Sequence, residues 1–434
     1  MAIKQRREIL KAKGNEDEIL YFYETEDGCT LDLVANYKSI NEIPNGTYLS
    51  WKWSWDFMTP THVDGMHFYF HKNVKEAMET LKHVPVSCNY VIADHLGNIG
   101  YQQSGLLPFR GNRSLILPSI ASRDGIWDSI HGADDLVKLY NPEKGYVVTT
   151  NNNVQLFDKN NKIRSISAHL GGYRYKRGTD ILDNHIKNNH KMTVEDMKDM
   201  QNDEYSLRAE RVVPIIKPYL PSEFNEIVNW DYKYQTTSRG ALLFDLIYSH
   251  IVSDLVGTNL FDNFATGQFL MQNTTMKIVL YHYIDDIFVE NSPQSPWFKH
   301  ASREEVIKRA ITNVLKNPVK STWVKDKKFN YGNVYMPITF KNIFFQGTLP
   351  SWTGFDVGPL IQPGNQATLR VGDHRGKFNS KVNVAAAWKY VTDLAQQQIY
   401  TTFPGGPSGE RFSRYYTSGL DGYLNNNYKV ITPA

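Results

Sequence analysis

The sequence predicts an α+β fold. Alternating β-favouring runs sit at both ends of the chain, and helical patterns crowd its middle. No internal repeat and no linker-like low-complexity segment interrupts that order. That order predicts a single domain over residues 1–434. Residues 1–173 are mainly β, 174–316 a mainly helical insertion and 317–434 a mainly β return, with distant strands sharing a sheet.

Glu8 to Lys13 alternates, Gly14-Asn15 marks a turn, and Ile19 to Thr25 alternates again. Asp27-Gly28 marks a second hairpin, leading into Cys29 to Ala35. Thr47 to Phe57, TYLSWKWSWDF, reads as a strand with Trp51, Trp53 and Trp55 on one face. Lys75 to Lys82 reads as a short amphipathic helix, and Val86 to Gln103 as a hairpin turning at His95-Leu96-Gly97. Leu106 to Gly125 is a loop punctuated by Pro and Gly. Tyr146 to Gln155, YVVTTNNNVQ, reads as a strand ending in three asparagines.

Helical character begins at Arg174. Thr193 to Gln201 opens on an N-cap and an acidic first turn. Ser206 to Tyr219, Arg239 to Val256, Met276 to Phe288 and Ser302 to Leu315 follow, and helicity fades after Pro318. Ala367 to Val371, Val382 to Leu394 and Gln398 to Phe403 read as strands ahead of a glycine loop at Pro404 to Gly409.

At 41% hydrophobic and 21% charged over 434 residues, the chain can bury a large core. Its 48 basic and 45 acidic residues give a net charge of +3, so no nucleic-acid partner is expected. Two cysteines, Cys29 and Cys88, allow one disulfide at most. The opening MAIKQRREILKAKG has no apolar run, so no signal peptide is expected in this chain, and localisation stays open. Ala241 to Val256 is too short to span a bilayer and carries Asp245, His250 and Asp254. It reads as a core helix, with no membrane partner.

Five features could carry chemistry. Amides at Asn151-Asn152-Asn153 can donate to a developing oxyanion, although Asn is also a common turn residue. Asp285-Asp286 offers paired carboxylates for metals. It follows an apolar helical run without a basic channel, so a solvated helix turn is expected. His62, His67 and His71 lack an HExxH pattern, so a core or surface role is expected. Pro404 to Gly409 lacks the GK[ST] ending of a phosphate loop and reads as a tight turn. Gly28-Cys29 could be a self-cleavage point that frees a nucleophile, or simply a hairpin.

Several segments share a pattern. Asn89 to Tyr101 (NYVIADHLGNIGY) is followed by Gly105, Pro108 and Arg110. Tyr146 to Gln155, Tyr173-Arg174-Tyr175-Lys176-Arg177, Met197 to Ser206 (MKDMQNDEYS), Ala386 to Leu394 and Phe403 to Ser413 (FPGGPSGERFS) follow in order. Together, and collinear over nearly the whole chain, they resemble the penicillin acylase family of N-terminal-nucleophile amidohydrolases. Gly178 departs from the family's apolar residue after the second arginine.

The resemblance implies a four-layer αββα sandwich. It also implies hydrolysis of a small-molecule linear amide, such as a penicillin or another N-acyl compound, through an acyl-enzyme. By motif, Asn151 aligns with the side-chain oxyanion donor and Arg177 with the arginine that orients the site. Trp51 or Trp53 falls near a substrate-pocket aromatic. The family's nucleophile lies upstream of the point matched by Arg6 to Gly14. The chain therefore resembles a C-terminal part of the β-chain, incomplete at its N-terminal end and without a nucleophile. It is expected to be inactive alone, to need a nucleophile-bearing N-terminal chain, and to leave a sheet edge and apolar surface uncovered. The family's calcium carboxylate has no counterpart in KIRSISAHLGG, so neither metal nor cofactor is expected. The rival readings are a non-catalytic binding or structural remnant of the same fold, an enzyme using Cys29 after self-cleavage, and a two-metal site at Asp285-Asp286.

Overall fold

The computed structural model describes residues 4–25, 28–30, 50–64, 71–109, 127, 129–157, 170–259, 262–272, 274–292, 295–345, 347–374 and 382–432. The chain groups into two compact units. One comprises Met1–Val147 and Val154–Ala168, the other Val148–Asn153 and His169–Ala434. Helices and antiparallel sheets occur without strand–helix alternation, as an α+β fold requires.

In the first unit, β1 (Lys4–Leu10), β2 (Glu18–Thr25), β3 (Gly28–Thr30) and β4 (Ser50–Trp51) form one antiparallel sheet in chain order. The turn expected at Gly14-Asn15 is there, with Arg6 opposite Phe22 and Leu10 opposite Glu18. The tryptophan strand stops early. Ser54–Phe57 is a 3-10 turn, and the Trp53 and Trp55 rings stack 4.8 Å apart at 10°. Side chains two apart on a strand stand about 6.6 Å apart, too far for that stack, so tightening the chain gains aromatic contact.

After a short helix α1 (Pro60–Asp64) comes α2 (Val74–Leu81). It buries Val74, Ala77, Met78 and Leu81, the i, i+3, i+4, i+7 stripe of an amphipathic helix. Then β5 (Asn89–Ala93), β6 (Ile99–Gln103) and β7 (Lys138–Tyr140) form a second antiparallel sheet. Asp94 serves both elements. Its Oδ1 accepts from Leu96 N and Asn98 N across the hairpin turn, and its Oδ2 accepts from Val74 N at the start of α2.

The second unit is built on helices. They are α3 (Tyr173–Lys187), α4 (Val194–Gln201), α5 (Leu207–Ile216), α6 (Asn225–Val228), α7 (Arg239–Ser253), α8 (Phe264–Gln272), α9 (Thr274–Glu290), α10 (Arg303–Lys316), α11 (Pro318–Lys325) and α12 (Tyr331–Tyr335). Three small sheets follow. β8 (Pro337–Phe340) pairs with β9 (Val357–Ile361), and β10 (Gly372–His374) with β11 (Val382–Ala385). β12 (Lys389–Asp393), β13 (Gln398–Thr402) and β14 (Lys429–Ile431) form the third, with α13 (Leu420–Asn425) between its last two strands. Helix α7 and its π-turn extension through Asn259 are apolar and long enough to cross a membrane, but 94% of that stretch is buried inside the protein. It is the core helix, packed by Leu242, Phe244, Ile247 and Ile251.

Five expectations are corrected. Pro318 does not end helicity: it occupies the first turn of α11, where its missing N–H costs nothing, and Asn317 Oδ1 caps Val319 N and Lys320 N. Ala367 to Val371 forms no strand, and Val382 to Leu394 splits into β11 and β12. Tyr146 to Gln155 has no ladder partner among the described residues, and its end winds into a 3-10 turn at Val154–Phe157. Lastly, every described sheet pairs strands close in sequence, and none joins the two chain ends. Short closures cost less chain entropy than long ones.

The Asp285-Asp286 pair also differs from expectation. Asp285 is fully buried rather than solvated. Arg208 Nε donates to its Oδ2 at 2.9 Å, and the Tyr248 hydroxyl donates to its Oδ1. The exposed Asp286 accepts from Arg211 Nη1 at 2.6 Å. Arg208 and Arg211 share one face of α5, so each carboxylate has its own guanidinium. That arrangement neutralises both charges without a metal, against the two-metal reading.

Two outcomes test this core. Arg208→Ala leaves Asp285 buried and unpaired, which should cost about 3–5 kcal/mol in a urea titration. Adding Asp285→Asn should recover part of that loss. The second concerns His250, whose Nε2 lies 2.6 Å from Lys320 Nζ. Burial and then the lysine charge lower its pKa from 6.5 to about 3. The unfolded chain therefore takes up a proton that the folded chain refuses. Stability should fall as pH drops from about 6.5 towards 3, by about 1.4 kcal/mol per unit for this group. Acid titrations of the parent should show this slope, and those of His250→Gln should lack it.

Candidate active site

The hexapeptide Val148–Asn153 leaves the unit formed by its sequence neighbours and joins the helical one. Local chemistry holds it there. Asn151 has a φ of +64°, a left-handed conformation that Asn tolerates better than most residues. Asn152 is buried, and its Oδ1 accepts from Thr150 N at 3.0 Å. Asn151 O accepts from Leu170 N at 2.9 Å, joining the turn to the approach of α3.

The second residue of α3 completes the site. Arg174 Nη2 donates to Asn151 Oδ1 at 2.9 Å. A guanidinium has only donors, so the atom facing it must be the amide oxygen, and this fixes which way the amide is turned. Nδ2 is left as the donor that this bond does not use. Burial lowers the Arg174 pKa, though an arginine stays charged. Gly178 sits one helical turn further on, where a Cβ would come within 3.3 Å of Val148 Cγ1. The glycine that departs from the family motif thus leaves room for the hexapeptide.

Arg177 does something different. Its Nε and Nη2 donate to Asp203 Oδ1 and Oδ2 at 3.1 and 2.6 Å, a two-pronged pair. The guanidinium also lies 4.6 Å from the Tyr205 ring centroid. The hydrogen bond to Asp203 raises its pKa. Arg177 thereby ties α3 to the chain between α4 and α5. Asn151 and Arg177 fall in the same unit, but Arg174 is the arginine that touches Asn151. Both arginines stand in the YRYKR motif three residues apart, on one helical face. Spacing alone could not choose between them.

The remaining candidates separate from this group. Trp51 and Trp53 lie in the first unit and are exposed. Cys29 and Cys88 are both free thiols. Cys29 lies inside the first sheet, opposite Glu24 on one side and Trp51 on the other. His62 is bound to Thr59, His71 lies 3.9 Å from Glu76, and His67 lies outside the described residues. In the glycine loop, Gly405 N donates to Phe403 O, and a Cβ on Gly406 would overlap Tyr415 O. Those glycines allow close backbone packing.

Comparison with known proteins places the chain by family and fold. The profile of the penicillin amidase family matches residues 1–432. The structure is similar to that of the thermostable penicillin G acylase from Alcaligenes faecalis, with a TM-score of 0.69 and 18% sequence identity. The superposition covers 100% of this chain and 79% of that one, and at such identity the likeness shows the fold. No curated protein matches the sequence.

The left-handed turn makes a prediction that involves no chemistry. Asn151→Gly and Asn151→Val both lose the bond from Arg174, but the valine variant should be less stable than the glycine variant by about 1–2 kcal/mol, because a β-branched residue is strained at this φ. Denaturant midpoints distinguish the two, and equal midpoints would refute the backbone assignment.

Proposed function

Because the chain belongs to the penicillin amidase family, whose members hydrolyse carbon–nitrogen bonds, we propose that it acts in hydrolysis of a small-molecule linear amide through an acyl-enzyme. In this reading Asn151 Nδ2 donates to the oxyanion of the tetrahedral intermediate. The observation that carries it is the Arg174–Asn151 bond. A donor already oriented before the reaction stabilises developing charge without reorganising. Arg174 is a positioning residue for that amide. Arg177 orients the site through Asp203 by holding the first turns of α3. Trp51 and Trp53 enter the proposal as aromatic substrate contacts, supported by their exposed rings.

The reading assigns the attacking group to no residue of this sequence. It gives the chain the four-layer αββα sandwich expected of the family, with a nucleophile-bearing N-terminal chain as its partner.

The test supplies that group from a partner. The chain is assayed on a chromogenic phenylacetyl amide, alone and mixed with a chain carrying an N-terminal serine nucleophile. Hydrolysis is expected only in the mixture. Asn151→Gly, which keeps the backbone turn, should then lower turnover by about 10²–10³-fold. A parental rate in that variant would remove Asn151 from the mechanism. A silent mixture would favour a non-catalytic remnant of the fold.

A further inference from the structure

Three metal-type ligands meet where α3 joins α4. His185, His190 and Asp196 each offer one ligand atom, and these atoms all lie within 4.8 Å of one another. His185 stands in the last turn of α3. Asn189 then takes a φ of +52°, which turns the chain back on itself. His190 N donates to His185 O at 2.9 Å, and the two imidazoles come 4.7 Å apart between centroids. His190 Nε2 lies 3.1 Å from Asp196 Oδ2.

A helix cap accounts for only part of this. Asp196 closes the first turn of α4, its Oδ2 accepting from Thr193 N at 2.8 Å and Thr193 Oγ1 at 2.6 Å. His190 can pair with that carboxylate. Neither contact explains His185. Its Nδ1 is shut off from solvent and has no hydrogen-bond partner among the described residues. A buried nitrogen left in that state costs about 1–3 kcal/mol, and a shared cation would satisfy it.

We propose that His185 Nδ1, His190 Nε2 and an Asp196 oxygen bind a divalent transition-metal ion, zinc foremost, with a fourth position open. Two imidazoles and one carboxylate suit zinc, cobalt, nickel or copper better than calcium or magnesium, which favour oxygen ligands. Around tetrahedral zinc, with bonds of about 2.0–2.1 Å, neighbouring ligand atoms stand about 3.3 Å apart. The His190–Asp196 edge, at 3.1 Å, is already near that length, and the other edges, within 4.8 Å, would close by side-chain rotation. Thr193 would act as the partner that orients a ligating carboxylate. The ion would clasp the α3–α4 connection. It would sit eleven residues, about 16 Å, along α3 from Arg174.

The test uses the full chain, stripped with a chelator and titrated with Zn²⁺ by calorimetry and with Co²⁺ by visible absorption. One equivalent should bind, and Co²⁺ should give the ligand-field bands of a low-coordinate nitrogen–oxygen site. Loss of an outer partner already weakens metal sites by about 10–100-fold, so His190→Ala and His185→Ala should each weaken Zn²⁺ binding by at least about 100-fold. His190 is exposed, so its variant should unfold at the parental temperature without metal. Zn²⁺ should raise the unfolding temperature of the parent but not of that variant. The proposal is overturned if the parent shows no saturable zinc binding, or if both variants bind as tightly as the parent.

Discussion

The helical unit depends on one buried ion pair. Arg208 and Asp285 are both removed from water, and each would be costly to bury alone. Tyr248 completes the carboxylate's bonds from the core helix, and the Tyr173 and Tyr281 rings lie against the guanidinium. The pair therefore joins α5 to α9, with α7 and the first residue of α3 in contact. Hydrophobic burial supplies most of the driving force here, but it is non-directional. The ion pair adds direction, because it is satisfied in only one register of these helices.

That register reaches the candidate site within one residue. Tyr173 faces Arg208, and the next residue, Arg174, holds the Asn151 amide. Three residues later Arg177 is locked to Asp203. The first turns of α3 are thus anchored from both sides. In the proposed role of oxyanion donor, the Asn151 amide would gain from such anchoring, since any freedom a donor keeps must be lost during the reaction. The hexapeptide carrying Asn151 has no ladder of its own among the described residues, so its position comes from contacts with α3 and its approach.

The N-terminal unit is organised differently. Asp94 there binds both the β5–β6 turn and the first amide of α2, so one carboxylate sets the placement of a hairpin and a helix. Its sheets use neighbouring strands, and the cysteine considered as a nucleophile sits within one of them. A polar side chain bonded to several backbone groups, as Asp94 is, can thus set the placement of elements without a long-range strand pairing.

The sequence by itself determined the α+β class, most helices of the central region and the family. Those features depend on local periodicity, caps such as Thr193, and motifs that survive in order. It also singled out Asn151 through its place in a motif. Tertiary structure alone decided what surrounds that residue. No periodicity signals that Val148–Asn153 leaves its neighbours for the helical unit, that Arg174 rather than Arg177 takes the amide, or that Asp285 is buried while Asp286 is exposed. His185 and His190 gave no recognisable motif, because their meeting depends on a single left-handed residue between them. The physical reason is common to the first three. Spacing along a chain sets which face a residue occupies, whereas contacts between segments distant in sequence are chosen by burial and by the need to satisfy every polar group that burial takes from water.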